Sequence, residues 1–315
     1  MKFKKIVSVG IDESILTKAY QKRLHEFSEE YVSLAGDSES ISSELKNADC
    51  LLVWFNGADR EIIDKAPNLK YIGALATGVA KIDVAYAASK GITVTNIPGY
   101  STEAVSELVF AVLLENLREI CRAKTESKQA RTSEASFSGR EIKGKDFGIV
   151  GFGRIGSRVA EIAAGFGANV YYWSRSKKPE HEGKFKYEGL DQLITHCDFV
   201  SVNLALNSET EKIFDAKRIA AIKKGSIVVN TAPVELFDLE ALNERLAKKD
   251  LTFIFDHTDP GDISDQALDR LRKHENCITY PVLGYITQEA KITLQEMFIE
   301  NIENFLKGSP INRVN

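Results

Sequence analysis

The sequence predicts an α/β fold built from parallel sheets. Short apolar runs of strand type alternate with amphipathic or charged runs of helix type along almost all of the 315 residues. Strands that alternate with helices form βαβ units, in which the strands are parallel. Breaks at Pro98-Gly99 and at residues 121–145 interrupt the series. At about 150 residues per domain, this length fits two domains.

The first series ends at Pro98-Gly99. Its apolar and charged runs predict strands at 4–11, 50–55, 68–76 and 91–97, and helices at 14–28 and 81–89. After the break, apolar residues at helical spacing predict a helix over 101–117. Ser101 or Thr102 is the expected N-cap of that helix.

Residues 121–145 differ in composition, because Ser, Thr, Lys and Arg occur throughout. They predict an exposed connector and a domain boundary. A second series follows, without being a copy of the first. Its runs predict strands at 146–151, 169–174, 199–204, 226–231, 252–257 and 276–280, and helices at 154–166, 215–222, 239–247 and 288–306.

Composition limits the class of protein. The 41 Lys and Arg residues against 45 Asp and Glu residues give a net charge of −4, which argues against a polycationic nucleic-acid binder. No apolar run approaches the roughly 20 residues of a membrane helix. The cysteines lack CxxC spacing, and no metal-ligand spacing occurs. We therefore expect a soluble cytoplasmic protein with no nucleic-acid partner, membrane partner or metal site.

A glycine-rich loop follows the strand predicted at 146–151. Its sequence GFGRIG fits the GxGxxG pattern between a strand and a helix, the context that dinucleotide binding requires. The glycines permit a tight turn, close approach of a pyrophosphate, and close packing of helix on strand. A glycine-rich turn without a ligand is the alternative. The predicted cofactor loop comprises Gly151, Gly153, Arg154, Ile155 and Gly156.

The segment after the next predicted strand distinguishes NAD from NADP. An acidic residue there hydrogen-bonds the ribose 2′-hydroxyl of NAD, but residues 173–178 read WSRSKK. Arg175 can pair with a 2′-phosphate, Ser174 or Ser176 can donate to it, and Lys177 adds positive charge. The sequence predicts a preference for NADP(H) over NAD(H), with a solvated basic turn as the alternative.

Several blocks, in order, resemble the D-isomer-specific 2-hydroxyacid dehydrogenases, which include glyoxylate/hydroxypyruvate reductases and phosphoglycerate dehydrogenases. They cover nearly the whole chain, which is more specific than any single motif. The resemblance implies an NAD(P)-dependent oxidoreductase acting on a carbonyl or CH–OH group of a small molecule. The blocks are ATGVAKID (76–83), GITVTNIPGYSTEAVSELVFAVLL (91–114), the glycine loop, GSIVVNTA (225–232), FIFD (253–256) and the C-terminal helix.

The resemblance also implies an architecture of two Rossmann-like, doubly wound parallel-sheet domains. Residues 1–98 and 288–315 would form a discontinuous substrate domain, and residues 99–287 the dinucleotide-binding domain. Family members are typically homodimers, with the helix and arm at about 101–145 in the interface. We therefore expect a homodimer.

Much of the family's binding pattern is retained. Thr77, Gly78 and Val79 match the turn that takes the substrate carboxylate, although Ala80 replaces the usual Asp or Asn. Asp256 matches the residue that meets the nicotinamide amide. Beyond the glycine loop, the cofactor residues that we expect are Ser174, Arg175, Ser176, Leu204, Ala205, Thr231, Ala232 and Asp256.

The catalytic positions depart from the pattern. The resemblance implies an Arg that binds the carboxylate, a Glu that holds a His, and a His that protonates the carbonyl oxygen. Those positions hold Pro233, Asp259 and Val282. Pro233 has no side-chain donor and no N–H, and Val282 cannot transfer a proton. The ordinary family reaction is therefore predicted to be severely impaired.

Other side chains near the expected site are candidate substitutes, each with a packing or solvated role as the alternative. Three functions stay open: an oxidoreductase with an atypical active site, a catalytically inactive NADP(H)-binding sensor or partner protein, and an ordinary 2-keto acid reductase with a shifted acid such as Tyr285. Turnover, not cofactor binding, separates the first two, because both bind the cofactor. The candidate substitutes are His257, Tyr100, Tyr280, Tyr285 and Lys81, and an acidic pair of Glu235 with Asp259.

Overall fold

The computed structural model describes residues 2–54, 56–131, 133, 136–256 and 265–315. The predictions about His257 and Asp259 lie outside the described residues. The described strands are β1 (Phe3–Val9), β2 (Ser28–Leu34), β3 (Cys50–Val53), β4 (Tyr71–Ala74), β5 (Thr93–Thr95), β6 (Asp146–Val150), β7 (Asn169–Trp173), β8 (Lys186–Tyr187), β9 (Phe199–Val202), β10 (Ser226–Asn230), β11 (Leu251–Phe255) and β12 (Cys277–Thr279).

Helices separate most of these strands, as the alternating pattern predicts. The described helices are α1 (Lys18–Glu26), α2 (Ile41–Leu45), α3 (Arg60–Asp64), α4 (Val84–Ser89), α5 (Thr102–Arg118), α6 (Ile120–Lys128), α7 (Arg154–Gly165), α8 (Leu190–His196), α9 (Ala216–Ala221), α10 (Leu239–Ala247), α11 (Asp265–Arg272) and α12 (Gln288–Leu306).

The first of two compact units contains the described residues up to Tyr100 together with Thr287–Asn315. Its described strands form one parallel sheet in the order β2-β1-β3-β4-β5. Strand β3 reads CLLV and is buried at every residue, as expected for a parallel strand covered on both faces. Helix α12 contributes Phe298 and Ile302 to the buried cluster on one of those faces.

The second unit, Ser101–Ile286, contains the other sheet. Its described strands are parallel and run in the order β12-β11-β10-β9-β6-β7-β8. The chain passes from β6 to β7 on one side and returns to β9 on the other. The loops leaving β6 and β9 therefore diverge, which makes the topological switch point where open α/β sheets bind ligands.

Both faces of this second sheet are covered by helices. Phe147 and Ile149 of β6 lie in a buried cluster with side chains of α5 and α7. Val150 lies in a different cluster, with side chains of α8, α9 and α10. Successive side chains of a strand point to opposite faces, so an unbroken apolar run serves both clusters. This two-sided burial fixes where each strand ends and hence where the loops begin.

The predicted α/β class with parallel sheets is confirmed, whereas some element boundaries were wrong. The helix predicted at 14–28 is shorter, Lys18–Glu26, and the chain enters β2 at Ser28. Ser101 is the N-cap residue of α5, but its side chain makes no capping hydrogen bond. Part of the predicted connector is helical, as α6, although none of its residues is buried.

Candidate functional site

Most of the predicted cofactor residues lie at one edge of the second unit's sheet. They follow β6, β7, β9, β10 and β11, which are parallel strands of that sheet. Carboxyl ends of parallel strands lie at the same edge, so the fold gathers segments that are up to about a hundred residues apart in the chain. The edge carries, in chain order, the glycine loop, Ser174–Lys177, Leu204–Ala205, Thr231–Pro233 and Asp256.

The glycine loop has the shape of an anion site. Gly151 has a φ of +95°, and a Cβ at Gly156 would lie 2.0 Å from the carbonyl oxygen of Gly151. Both positions therefore require glycine. Gly153 is the N-cap residue of α7, and a Cβ there would meet nothing within 4 Å. Open space thus lies beside the N-terminus of a 12-residue helix, whose N–H groups and dipole favour a pyrophosphate.

The turn after β7 presents basic side chains to solvent. The Ser174 hydroxyl donates to the carbonyl oxygen of Ser176 at 2.7 Å, so this buried serine shapes the turn. The side chain of Arg175 is 88% exposed. Its Nη1 lies 3.4 Å from Oε2 of Glu209, and Nζ of Lys177 lies 2.6 Å from Oε1 of Glu182.

Hydrogen bonds shape the loops after β9 and β10. The N–H of Asn203 donates to the carbonyl of Val150, which ties the start of the Leu204–Ala205 loop to β6. After β10, the fully buried Asn230 donates to the carbonyl of Ala232 at 2.8 Å and accepts from its N–H. Asn230 thereby shapes the turn that carries Thr231, Ala232 and Pro233. Sequence reasoning missed this residue, although its place directly before Thr231 was the available signal.

Asp256 is 5% exposed and connects two segments of the second unit. Its Oδ2 accepts a hydrogen bond from the N–H of Gly284 at 2.9 Å. A Cβ at Gly284 would lie 2.9 Å from that same oxygen, so the close approach requires glycine. The contact holds the segment 281–286, which carries Val282. The sequence did not indicate this contact, because it joins residues 28 positions apart.

The candidate proton donors differ in their surroundings. The hydroxyl of Tyr280 donates to the carboxylate of Glu115 on α5. Burial and this neighbouring carboxylate raise the pKa of Tyr280, which makes it a weaker acid. Oε2 of Glu235 is buried without a hydrogen-bond partner among the described residues. Its proposed partner Asp259, like His257, is outside them.

The predicted substrate turn belongs to the first unit and follows β4. The Thr77 hydroxyl donates to the carbonyl of Ile97 at 2.8 Å, and the Thr77 carbonyl accepts from the Asn96 amide at 2.7 Å. Gly78 and Val79 line a recess of about 210 Å³. Trp54 and Lys81 line the same recess, together with several alanines.

The described residues include neither a metal-ligand cluster nor a membrane-spanning helix. Among the described residues, no group of three or more His, Cys, Asp and Glu side chains is placed to hold a metal ion. Within the same ranges, no helix combines the length and the apolar character that crossing a membrane requires. The cysteines at 50, 197 and 277 are buried and Cys121 is exposed, all as free thiols.

Comparison with known proteins identifies the family. The family model "D-isomer specific 2-hydroxyacid dehydrogenase, NAD binding domain" matches residues 110–284, more than half of the chain. The chain belongs to this family. The resemblance drawn from the sequence blocks is therefore confirmed, as is the prediction of a nicotinamide-dinucleotide-binding domain.

Relatives within the family align over most of their length. A hydroxypyruvate reductase of Blautia hydrogenotrophica is 33% identical, over 89% of this chain and 88% of the relative. A glyoxylate reductase of Thermococcus litoralis is 35% identical, over 87% and 86% respectively. Both relatives are named as reductases, in agreement with the prediction of an oxidoreductase.

Solved structures agree with the fold. D-lactate dehydrogenase of Aquifex aeolicus, complexed with NAD and lactic acid, has a TM-score of 0.84 and 26% identity, with 96% of each chain covered. An acyclic imino acid reductase in complex with NADPH and D-Arg has a TM-score of 0.87 and 26% identity, with 98% of this chain and 100% of that chain covered. The two Rossmann-like parallel-sheet units expected from the resemblance are thus confirmed.

Proposed function

We propose that this member of the family is an NADP(H)-linked oxidoreductase whose active site has lost the usual means of protonating a 2-keto acid. The single observation that carries the proposal is the contrast between two sets of positions at one sheet edge. The glycine loop keeps an open anion site at Gly153, whereas Pro233 and Val282 occupy the family's Arg and His positions.

Each unit has one binding role in this proposal, either for the cofactor or for the substrate. The second unit, Ser101–Ile286, would be the dinucleotide-binding domain, and the first unit, the described residues up to Tyr100 with Thr287–Asn315, would be the substrate domain. The N-terminus of α7 would bind the pyrophosphate, with Gly151, Gly153, Arg154, Ile155 and Gly156 around it. Leu204, Ala205, Thr231 and Ala232 would line the rest of the cofactor site, and Asp256 would accept from the nicotinamide amide. When bound, the nicotinamide supplies or accepts the hydride.

Selection of NADP(H) is assigned to the turn after β7. Arg175 is exposed, and the turn has no acidic residue that would accept from a ribose 2′-hydroxyl. A guanidinium binds a phosphate with charge-assisted hydrogen bonds. Ser176 and Lys177 add a hydroxyl and a second cation. Ser174 supports this arrangement through its hydrogen bond to the carbonyl of Ser176.

Substitution of Arg175 tests this selection. Arg175→Gln is expected to raise the Kd of NADPH by about tenfold and to leave the Kd of NADH unchanged, because hydrogen bonds to charged groups contribute roughly 1.5–3 kcal/mol and Arg175 is exposed. Arg270→Gln is the control, because it removes an equal charge from an exposed arginine that also pairs with one carboxylate. Fluorescence titration with both nucleotides measures the change. Equal losses for NADPH and NADH would contradict the assignment.

The proposed substrate-binding residues are Thr77, Gly78 and Val79. The main chain of this turn would take a substrate carboxylate, and the adjoining recess of about 210 Å³ leaves room for a small group. Pro233 supplies no cation for the carboxylate, and Val282 supplies no acid for the carbonyl oxygen. General acid catalysis contributes about 10²–10⁴-fold, so 2-keto acids are expected to react slowly.

A protonated imine is the second candidate substrate. The similarity to an acyclic imino acid reductase favours it. An iminium carbon that receives a hydride becomes an amine without taking a further proton, so the reaction requires no acid at residue 282. Faster NADPH oxidation with a 2-keto acid plus ammonia or an amine than with the keto acid alone would support this candidate. Tight NADPH binding with no turnover on either would favour a catalytically inactive sensor.

We extend the proposal to a homodimer in the cytoplasm. Helix α6 buries none of its residues within the chain, and the side chain of Ile120 is 49% exposed. The helix and arm at about 101–145 would lie at the subunit contact. Sedimentation of the full chain tests this, and a monomer at micromolar concentration would contradict it.

A further inference from the structure

Two of the three basic side chains in the turn after β7, Arg175 and Lys177, already have a carboxylate beside them. Arg175 Nη1 lies 3.4 Å from Glu209 Oε2, with the two side chains 88% and 69% exposed. Lys177 Nζ lies 2.6 Å from Glu182 Oε1, with the side chains 52% and 67% exposed. The hydrogen bond from Lys177 lowers the pKa of the Glu182 carboxyl, which is therefore charged at neutral pH. The two carboxylates offset two of the three positive charges that WSRSKK carries.

The carboxylate of Glu209 reaches Arg175 from a different loop. It belongs to the loop after β9, where the Asn207 side chain accepts from the N–H groups of Glu209 and Thr210 at 2.9 and 3.1 Å. The Thr210 hydroxyl donates to the carbonyl of Ala205 at 2.7 Å. This hydrogen-bonded turn fixes the place of Glu209. Because β9 and β7 flank β6, the Arg175–Glu209 pair spans the switch point.

We infer that Glu209 and Glu182 are built-in counter-ions of the 2′-phosphate site, a role that rests on the proposed NADP(H) selection by Arg175 and Lys177. A phosphate monoester carries about −1.5 to −2 charges at pH 7 and repels a carboxylate at contact distance. The 2′-phosphate of NADPH must therefore displace both carboxylates from the cations. NADH has no 2′-phosphate and leaves both ion pairs intact.

The two counter-ions reduce the preference for NADPH below what the basic residues of the turn at 173–178 would give without them. Each ion pair is exposed, so each counter-ion is expected to weaken NADPH binding by about two- to fivefold, the range for exposed pairs. The effect should also decrease at high salt, because exposed charges are screened. Residues 182 and 209 thus tune cofactor choice, although neither is adjacent to Arg175 in sequence.

Kd values of NADPH and NADH for the full chain test the inference. Glu209→Gln is expected to bind NADPH about two- to fivefold more tightly than the wild type, with the Kd of NADH unchanged. Glu182→Gln should act in the same direction. The matched control is Glu211→Gln, an equal charge change at an exposed residue of the same loop, which should have no comparable effect.

Two further comparisons distinguish a failure of the counter-ion role from a failure of the proposed NADP(H) selection. In an Arg175→Gln background, Glu209→Gln should give no more gain than Glu211→Gln, because the cation it neutralised is gone. If Glu209→Gln and Glu211→Gln change the ratio of the two Kd values equally, the counter-ion role is wrong. A wild type that prefers NADH would contradict the proposed NADP(H) selection instead. The comparison of Glu209→Gln with Glu211→Gln would still decide the counter-ion role.

Discussion

Restoring an Arg and a His at the family positions is expected to raise kcat/KM for glyoxylate or pyruvate by about two to four orders of magnitude. The double variant Pro233→Arg/Val282→His supplies a cation for the carboxylate and a general acid for the carbonyl oxygen. General acid catalysis alone contributes about 10²–10⁴-fold. Pro233 has a φ of −53°, which other residues adopt without strain, so the exchange does not demand a new backbone conformation.

The position of residue 282 is already constrained for such a role. The hydrogen bond from the N–H of Gly284 to Asp256 fixes the segment that carries Val282. A working His should also produce a fall in rate as pH rises through its pKa, because only the protonated form can donate. The gains of the two single variants need not add. Adding Asp259→Glu to hold the His should increase the gain further.

Val282→Asn is the control, since it is polar but does not titrate in this pH range. NADPH absorbance gives kcat/KM for each variant from about pH 6 to about pH 9, a range that begins just below the ordinary His pKa of about 6.5. If Val282→His improves turnover no more than Val282→Asn and adds no pH dependence, residue 282 does not face the reacting carbonyl. The proposed origin of slow catalysis would then be wrong.

The two glycines of the phosphate loop should separate binding from stability. Gly153→Ala is expected to leave the melting temperature unchanged, because a Cβ there meets nothing within 4 Å. The same methyl would occupy the space beside the N-terminus of α7 where a pyrophosphate approaches. Hydrogen bonds to a charged group contribute roughly 1.5–3 kcal/mol. Their loss is expected to raise the Kd of NADPH by about ten- to a hundredfold.

Gly156→Ala should impair both properties. A Cβ at this position would lie 2.0 Å from the carbonyl oxygen of Gly151, so α7 must move away from β6. Overpacking of this kind costs typically 1–3 kcal/mol of stability. Thermal unfolding and fluorescence titration of both variants give the comparison. Wild-type affinity in a folded Gly153→Ala variant would place the pyrophosphate elsewhere.

Fold prediction from the sequence depended on how an element is buried. The central strands β3 and β6 are covered on both faces, so their apolar runs predict them directly. Strand β2 was missed because it reads SEEYVSL and, among the described strands, lies at the edge of its sheet beside β1. Helix α6 was missed because it buries no residue, and no apolar periodicity marks it.

The same distinction applies to the candidate site. The glycine loop was predictable because the residues that shape it are within six positions of one another. Asn230 shapes its turn locally, but an Asn at the end of a strand has many possible roles. The contacts of Asp256 with Gly284 and of Arg175 with Glu209 join residues 28 and 34 positions apart. Only the folded sheet edge brings those pairs together.

Turnover of the wild-type chain tests the central claim most directly. The purified protein, shown by titration to be saturated with NADPH, is mixed with glyoxylate, hydroxypyruvate or pyruvate, and NADPH absorbance is followed. We expect rates well below about 1 s⁻¹, the lower end of typical kcat values, because neither residue 233 nor residue 282 can activate the carbonyl. Rates above about 1 s⁻¹ on any of these 2-keto acids would contradict the account.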